Sequence, residues 1–381
     1  MAGTKTLRQA AGSLLVVGLS GTELTGLERA WLQLVRPGGI ILFRRNIESV
    51  EQTRALLNEA TGLGSRHAMR CVDVEGGTVN RLRESLAPIA STQSVAAASR
   101  SAKKPALARK HGELIARAVK AFGFNTALAP VVDLALPEAV EVLGSRTSGG
   151  SPAEVVAYAR ELLGGLAAQG VTGCGKHFPG LGGAAGDTHF VTPEIQRSWN
   201  QLWNEDLVPY RDLHKAMPMI MINHAAYPQT RSSKEPASAS RFWITETLRK
   251  KIGYKGIVLS DDLEMGGILK FLPVEEAAVA ALRAGSELIL ICHSPELILR
   301  TYEALISEGE RSAAFRKTLF ATARDAGRKR VKLYARGIFP LPAAKALESL
   351  RGSILEFNRT IAAVSDASAE APRATAPAET S

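Results

Sequence analysis

The chain alternates between short, continuously apolar runs and longer segments in which apolar residues recur every three or four positions. The longer segments include 106–122, 152–168 and 273–284, and their period predicts helices with one buried face. An apolar run without alternating polar residues is typical of a strand in a parallel sheet that helices cover on both faces. The runs that we predict as strands are 14–18, 39–43, 69–74, 126–132, 170–175, 217–223, 256–259 and 287–292.

Eight strands alternating with helices predict the α/β class, in the form of a single-domain (β/α)₈ TIM-like barrel. The main alternative is a doubly wound open sheet, but the turn at 18–21 (GLSG) is a poor dinucleotide-binding fingerprint. We assign residues 1–340 to the barrel and residues 341–364 to an extra C-terminal helix. Residues 365–381 are rich in Ala, Pro, Ser and Glu, and this composition predicts a disordered tail.

The composition is that of an ordinary globular protein with a large core, since 45% of the 381 residues are hydrophobic and 22% are charged. The apolar run 14–19 is too short for a secretory signal, and no run reaches the roughly 18 residues of a membrane span. Three cysteines lie in apolar stretches without metal-binding spacing, so we expect buried free thiols and a cytoplasmic location. They are Cys71, Cys174 and Cys292.

The formal net charge is +10, and basic residues concentrate in segments 249–251 and 316–336. Their spacing suits a solvated helix face. Neither a recognition fold nor interleaved base-stacking aromatic residues accompany them, so we expect no nucleic-acid partner. A positive field of this size would instead attract an anionic substrate.

Polar side chains stand at the C-terminal ends of the predicted strands, which converge on one face of a barrel and form its active site. The positions are Asp73, Asp133, Lys176, His177, Asn223, His224 and Asp261. Beyond Lys176 and His177, a Gly- and Ala-rich loop leads to Asp187 and His189. A histidine held by a nearby aspartate, together with a separate carboxylate, is suited to acid–base catalysis with a nucleophile.

The segment 176–189, KHFPGLGGAAGDTH, closely resembles the KHFPG-x-G…D-[ST]-H loop of glycoside hydrolase family 3, in particular its NagZ-type β-N-acetylglucosaminidases. The resemblance extends over about residues 10–310. Further matching motifs are VDVEGGTVNR, LAPVVDL, GSRTSG, GIVLSDDLEMGGI and AGSELILICHSPE. The sequence departs from the family pattern at Val74, Thr78, Leu181 and the segment 146–149.

The resemblance implies a role for each matching residue in a retaining glycosidase. Asp261 matches the family's nucleophilic aspartate, and His189 matches its general acid/base, whose ring Asp187 would orient. Sugar binding falls, by the same resemblance, to Asp73, Arg81, Arg146, Lys176 and His177. Such a mechanism needs no metal or organic cofactor. The sequence contains neither a His-x-x-x-His ligand pair nor a phosphate-binding loop, so we expect no cofactor.

The implied function is that of a retaining exo-β-N-acetylglucosaminidase, which removes terminal non-reducing β-linked GlcNAc from peptidoglycan (anhydro)muropeptides in cell-wall recycling. A broader β-hexosaminidase or β-glucosidase stays open. A GlcNAc phosphorylase also stays open, because a histidine acid/base carries no negative charge that would repel phosphate. A third alternative is a non-catalytic muropeptide-binding protein. We expect a saccharide substrate and no membrane partner, and the sequence is compatible with a monomer without fixing the oligomeric state.

Overall fold

The computed structural model describes residues 6–65, 67–184, 193–335 and 337–370. Within these ranges, eight parallel strands close into a barrel in the order β1-β10-β9-β8-β7-β6-β3-β2. A two-stranded antiparallel hairpin, β4-β5, follows β3. The strands are β1 (Leu15–Val17), β2 (Gly39–Leu42), β3 (Met69–Val72), β4 (Val74–Gly76), β5 (Val79–Asn80), β6 (Thr126–Ala127), β7 (Thr172–Phe178), β8 (Met219–Ile222), β9 (Ile257–Asp262) and β10 (Leu288–Ile291).

Helices surround the barrel and connect its strands. The α-helices are α1 (Leu7–Gly12), α2 (Gly26–Val35), α3 (Val50–Gly62), α4 (Thr92–Ser101), α5 (Ala106–Ala121), α6 (Val140–Leu143), α7 (Pro152–Ala168), α8 (Trp199–Gln201), α9 (Val208–Leu213), α10 (Gly266–Leu269), α11 (Val274–Ala284), α12 (Pro295–Arg311), α13 (Ala313–Leu333) and α14 (Ala344–Glu370). Leu202–Asp206 and Phe242–Lys251 have π-helical hydrogen bonding. Short 3₁₀ turns are Arg44–Asn46, Pro137–Ala139, Gly144–Arg146 and Ala237–Ala239.

The start of a typical barrel helix follows from local chemistry, as in α7. The hydroxyl of Ser151 accepts a hydrogen bond from the backbone N–H of Glu154, whose carboxylate reaches back to the backbone N–H of Ser151. Pro152 occupies the first helical position, where its missing N–H costs nothing. This reciprocal cap satisfies donors that the first turn leaves without partners, and it fixes where the helix begins.

The interior of the barrel is filled by apolar side chains and leaves no channel along the described strands. Val16, Ile41, Leu128, Met219 and Leu259 belong to one buried cluster inside the barrel. The three cysteines are free and buried, two of them in strands and one just after β10, as the sequence predicts. A filled interior restricts ligand access to the ends of the strands.

The predicted (β/α)₈ barrel is confirmed, and each predicted apolar run overlaps an observed barrel strand. Strands β7 and β9 extend beyond their predicted runs, to Phe178 and Asp262. Two other runs differ in detail. The run 69–74 divides at Asp73 into β3 and the hairpin strand β4, which the sequence analysis did not foresee. In the run 126–132 the regular strand β6 ends at Ala127. Pro130 has no N–H to contribute to the ladder, and beyond it pairing is limited to an isolated bridge between Val131 and Lys176.

The C-terminal helix is longer than predicted. We expected a helix at 341–364 and a disordered tail from 365, whereas α14 runs from Ala344 to Glu370. Residues 365–370 (SDASAE) contain neither Gly nor Pro, so no residue among them is a helix breaker. The next such residue in the sequence is Pro372, which disfavours helical backbone angles at the position before it. Residues 371–381 lie outside the described ranges. Among the described helices, none is both long and apolar enough to span a membrane.

Candidate active site

A cavity of about 630 Å³ opens at the C-terminal ends of the barrel strands. Its lining draws on β2, β5, β7, β8, β9 and β10 and on neighbouring loops, including Asp73 just after β3. The structure brings six of the eight predicted site residues to this cavity: Asp73, Arg81, Arg146, Lys176, His177 and Asp261. The other two, Asp187 and His189, lie outside the described residues.

The centre of the site is a buried ion network around Glu75, which is 1% exposed. Lys176 Nζ lies 2.7 Å from Asp73 Oδ1 and 2.7 Å from Glu75 Oε1. Arg146 binds Glu75 with two parallel hydrogen bonds, Nε to Oε2 at 2.8 Å and Nη2 to Oε1 at 2.9 Å. This bidentate geometry fixes the plane of the guanidinium as well as its position.

The charges in this network stabilise one another. Burial by itself would raise the pKa of Glu75, but the charges and hydrogen bonds of Lys176 and Arg146 outweigh burial and hold that pKa well below its ordinary value. For Lys176, burial would lower the pKa, whereas Asp73 and Glu75 raise it above its ordinary value. Both groups are therefore charged at neutral pH. The network presents a rigid set of donors and acceptors to a ligand.

Glu75 was not among the predicted site residues. A signal for it existed, because a second carboxylate stands two residues after Asp73 and directly before two glycines, at the end of a predicted strand. Gly76 and Gly77 have φ of 91° and 59°, in the region that favours glycine. They allow the hairpin β4-β5 to turn tightly and to bring Glu75 into the barrel mouth.

His177 is held by a second buried carboxylate, Asp133. The Nδ1 of His177 lies 2.7 Å from Asp133 Oδ2, and the backbone N–H of His177 also donates to Asp133. Asp133 Oδ1 accepts a further bond, at 2.8 Å, from the backbone N–H of Leu181. The Nε2 of His177 lies 3.4 Å from Arg146 Nη2. Asp133 thus orients the imidazole and the start of the loop that leads to residue 189, and the leucine at 181 contributes its backbone to this arrangement.

The predicted nucleophile, Asp261, lies at the end of β9. Its Oδ1 accepts a hydrogen bond of 2.9 Å from the backbone N–H of Asp262. On the neighbouring strand, His224 donates from Nε2 to the carbonyl oxygen of Asp262 at 2.9 Å, while its Nδ1 pairs with Ser238 Oγ at 2.7 Å. His224, one of the predicted polar strand-end residues, therefore holds the end of the strand that carries Asp261.

Asp262 differs chemically from its neighbour. Burial and the nearby charge of Glu264 raise the pKa of Asp262 to about 7. His293 Nε2 lies 3.5 Å from Asp262 Oδ2, and burial lowers the pKa of His293, so the two are not a strong ion pair. Ligand atoms of Asp262, Glu264 and His293 lie within 4.8 Å of one another. However, Glu264 already accepts backbone N–H bonds from Cys292, His293 and Ser294, which explains its position without a cation.

The rim of the cavity is basic and aromatic. Arg45 lies with its guanidinium carbon 4.8 Å from the ring centroid of Phe43, and Arg81 lies at 5.9 Å from the same ring. The imidazole of His293 packs on Phe43 with centroids 5.2 Å apart. Within the described part of the chain, the buried Nε of Arg81 has no hydrogen-bond partner. This rim can bind a ligand that is both flat and anionic.

Comparisons with known proteins agree with this geometry. Residues 6–319 match the glycosyl hydrolase family 3 N terminal domain. The β-hexosaminidase of Idiomarina loihiensis is 34% identical over 302 residues, which cover 79% of this chain and 90% of that protein. A solved family 3 β-N-acetylglucosaminidase from Paenibacillus sp. is 28% identical, with a TM-score of 0.81 over 93% of this chain and 69% of that one.

Another similar structure is NagZ from Neisseria gonorrhoeae in complex with N-trifluoroacetyl-D-glucosamine. It is 30% identical, with a TM-score of 0.70, and the match covers 82% of this chain and 97% of that one. A (β/α)₈ barrel whose strand ends carry carboxylates around a polar cavity is an arrangement found in barrel glycosidases. The chain belongs to glycoside hydrolase family 3. The predicted family and the predicted enzyme class are thereby confirmed.

The buried network makes a quantitative prediction for Glu75→Gln. The variant leaves the buried Lys176 and the partly buried Arg146 without their shared counter-charge, so we expect the free energy of unfolding at pH 7 to fall by about 3–5 kcal/mol. Because the pKa of Glu75 is lowered on folding, its stabilisation is present above the ordinary pKa and is lost as the pH falls. Urea unfolding between pH 7 and pH 3 should therefore show the difference between wild type and variant shrinking.

The matched control is Glu59→Gln, which removes one partner of the exposed Arg29–Glu59 ion pair. We expect that variant to lose less than about 1 kcal/mol. Equal losses in the two variants would contradict the account of Glu75 as a buried counter-ion.

Proposed function

We propose that the chain is a retaining exo-β-N-acetylglucosaminidase that hydrolyses terminal non-reducing β-linked GlcNAc. The observation that carries the proposal is that Asp261 lines the same cavity as the polar groups Asp73, Lys176 and His177. A carboxylate held at a strand end can act as a nucleophile on the anomeric carbon while the other groups hold the sugar hydroxyls. Two of the similar proteins are a β-hexosaminidase and a β-N-acetylglucosaminidase, which supports the choice of sugar.

In the first step of the proposed mechanism, a carboxylate oxygen of Asp261 attacks the anomeric carbon as the glycosidic C–O bond breaks. His189, in its protonated form, donates a proton to the departing oxygen, and the sugar remains bound to Asp261 as a glycosyl ester. In the second step, neutral His189 accepts a proton from water, whose oxygen attacks the same carbon and breaks the ester bond. Asp261 and protonated His189 are restored, and the configuration is retained.

His189 and Asp187 enter this mechanism through their sequence motif, since both lie outside the described residues. Two observations support a loop that presents them here. Lys176 and His177, at the start of that loop, line the cavity. Asp133 binds both the imidazole of His177 and the backbone of Leu181, so the first part of the loop is fixed at the barrel mouth. An imidazole whose pKa is near neutrality can serve as acid and then as base.

We propose a peptidoglycan (anhydro)muropeptide as substrate, which places the enzyme in cell-wall recycling in the cytoplasm. Muropeptides carry carboxylates beyond the terminal sugar, and the cavity rim holds Arg44, Arg45 and Arg81. Three buried free cysteines suit a reducing compartment. The same basic rim would accept phosphate, so a GlcNAc phosphorylase is the second candidate.

The nucleophile is tested by hydrolysis of 4-nitrophenyl β-GlcNAc. Asp261→Asn should lower kcat by at least about 10³-fold, because the amide cannot form the ester intermediate. Asp325→Asn, on the exposed face of α13, is the matched control and should retain wild-type kcat. Equal rates for wild type and Asp261→Asn would exclude Asp261 as the nucleophile. Release of GlcNAc 1-phosphate in phosphate buffer would favour the phosphorylase instead of the hydrolase.

The acid/base is tested by varying the leaving group. For His189→Ala we expect kcat/KM to fall by about 10²–10⁴-fold with a GlcNAc-anhydroMurNAc fragment, whose departing oxygen needs a proton. With 4-nitrophenyl β-GlcNAc the fall should be much smaller, because nitrophenolate leaves without protonation. A similar fall with both substrates would contradict proton donation by His189.

A further inference from the structure

Helix α14 lies beyond the residues that match the family domain, which end at 319. It packs against the barrel on α4 and α5. Its buried side chains Leu350, Ile354, Phe357 and Ile361 belong to the main hydrophobic cluster of the barrel. The ring of Phe357 stacks on the buried imidazole of His111, with centroids 6.0 Å apart and planes at 20°. The helix is therefore an integral part of the core, although it lies outside the matched domain.

Two polar side chains of α14, Arg351 and Asn358, bind one backbone segment, residues 86–90. Arg351 donates from Nε to the carbonyl oxygen of Leu86 at 2.8 Å. Asn358 donates from Nδ2 to the carbonyl oxygen of Pro88 at 2.8 Å, and its Oδ1 accepts the backbone N–H of Ala90 at 3.0 Å. A single carboxamide thus binds one donor and one acceptor of the segment, two residues apart, and fixes its position along the helix.

The opposite side of segment 86–90 contacts the β4-β5 hairpin. The carbonyl oxygen of Ile89 accepts a hydrogen bond of 2.8 Å from the backbone N–H of Gly77. The carbonyl oxygen of Ala87 accepts a hydrogen bond of 3.2 Å from Nδ2 of Asn80. Just beyond the segment, Thr92 Oγ1 donates to the carbonyl oxygen of Glu75 at 3.2 Å. The fit is close, because a Cβ added at Gly76 would lie 2.1 Å from the carbonyl oxygen of Ala90.

These contacts form one continuous path from α14 to the barrel mouth. Asn358 fixes segment 86–90, the segment fixes the hairpin, and the hairpin carries Glu75, which binds Lys176 and Arg146. Asp73 immediately precedes the hairpin, and its backbone carbonyl accepts the N–H of Arg81 just after it. A displacement of the segment would be transmitted to both glycines, since Gly77 donates its N–H to Ile89 and Gly76 leaves no room even for a Cβ beside the carbonyl oxygen of Ala90.

We infer that Asn358 is a positioning residue for the sugar-binding network, and that α14 acts on the site through it. The inference rests on the proposed function in one respect, that the network around Glu75 binds the sugar. Asp261 lies on β9, away from this path. Loss of the Asn358 hydrogen bonds therefore weakens sugar binding and leaves the attack by Asp261 unchanged. Such a change raises KM and leaves kcat nearly unchanged.

The test is Asn358→Ala in the full chain. We expect KM for 4-nitrophenyl β-GlcNAc to rise about three- to tenfold, with kcat within a factor of two of wild type. Backbone hydrogen exchange in peptides covering 74–82 should become about tenfold faster or more, because Ile89 no longer holds the N–H of Gly77 in a fixed place. Alanine favours helix more than asparagine does, so α14 itself should not unravel. Asn358→Asp, which retains the acceptor for Ala90 and loses the donor to Pro88, should give an intermediate exchange rate.

The matched control is Ile361→Ala, which removes a buried side chain from the same helix and should lower Tm. Two results would overturn the inference and show that α14 merely stabilises the core. In the first, Ile361→Ala and Asn358→Ala change KM and the hydrogen exchange at 74–82 to the same extent. In the second, Asn358→Ala changes neither quantity. Hydrogen exchange needs no substrate. A wild-type chain that fails to hydrolyse the aryl glycoside would therefore refute the proposed function while exchange still decides whether Asn358 positions the hairpin.

Discussion

The barrel mouth depends on one buried carboxylate, Glu75, and on the two cations that it holds. Lys176 comes from the end of β7 and Arg146 from the turn before α7, so the network joins parts of the chain that the barrel alone brings together. Removing charges from water is costly, and a buried network persists only when each member is paired. Here every member is paired, and the result is a fixed arrangement of polar groups rather than a large gain in stability.

The rest of the site is organised around this network by two further buried polar side chains. Asp133 holds His177 and the backbone of Leu181, while His224 holds the end of β9 next to Asp261. The binding groups and the proposed nucleophile thus reach one cavity from separate strands, each with its own support. This division fits a glycosidase, in which the sugar must be held on one side and attacked on the other.

The sequence predicts the barrel well because its signal is local: each strand is a short apolar run between helices of clear period. It also predicts Asp73, Lys176 and Asp261, because barrel geometry brings strand ends together. Glu75 was not predicted as a site residue, because its role as a buried counter-ion depends on its contact with Arg146, 71 residues away in the sequence. The length of α14 and the contacts of Asn358 with a segment about 270 residues earlier are likewise set by tertiary packing, which no local pattern encodes. The proposed roles of Asp187 and His189 rest on the sequence motif, since both residues lie outside the described ranges.

The most direct test of the account is to trap the glycosyl-enzyme with a fluorinated N-acetylglucosaminyl fluoride, whose ester intermediate hydrolyses slowly, and to map the adduct by mass spectrometry. The account predicts a single adduct on the tryptic peptide 256–270, with fragmentation placing it on Asp261. An adduct on peptide 71–81, which contains Asp73 and Glu75, would contradict it. So would steady hydrolysis with inversion of configuration and no adduct.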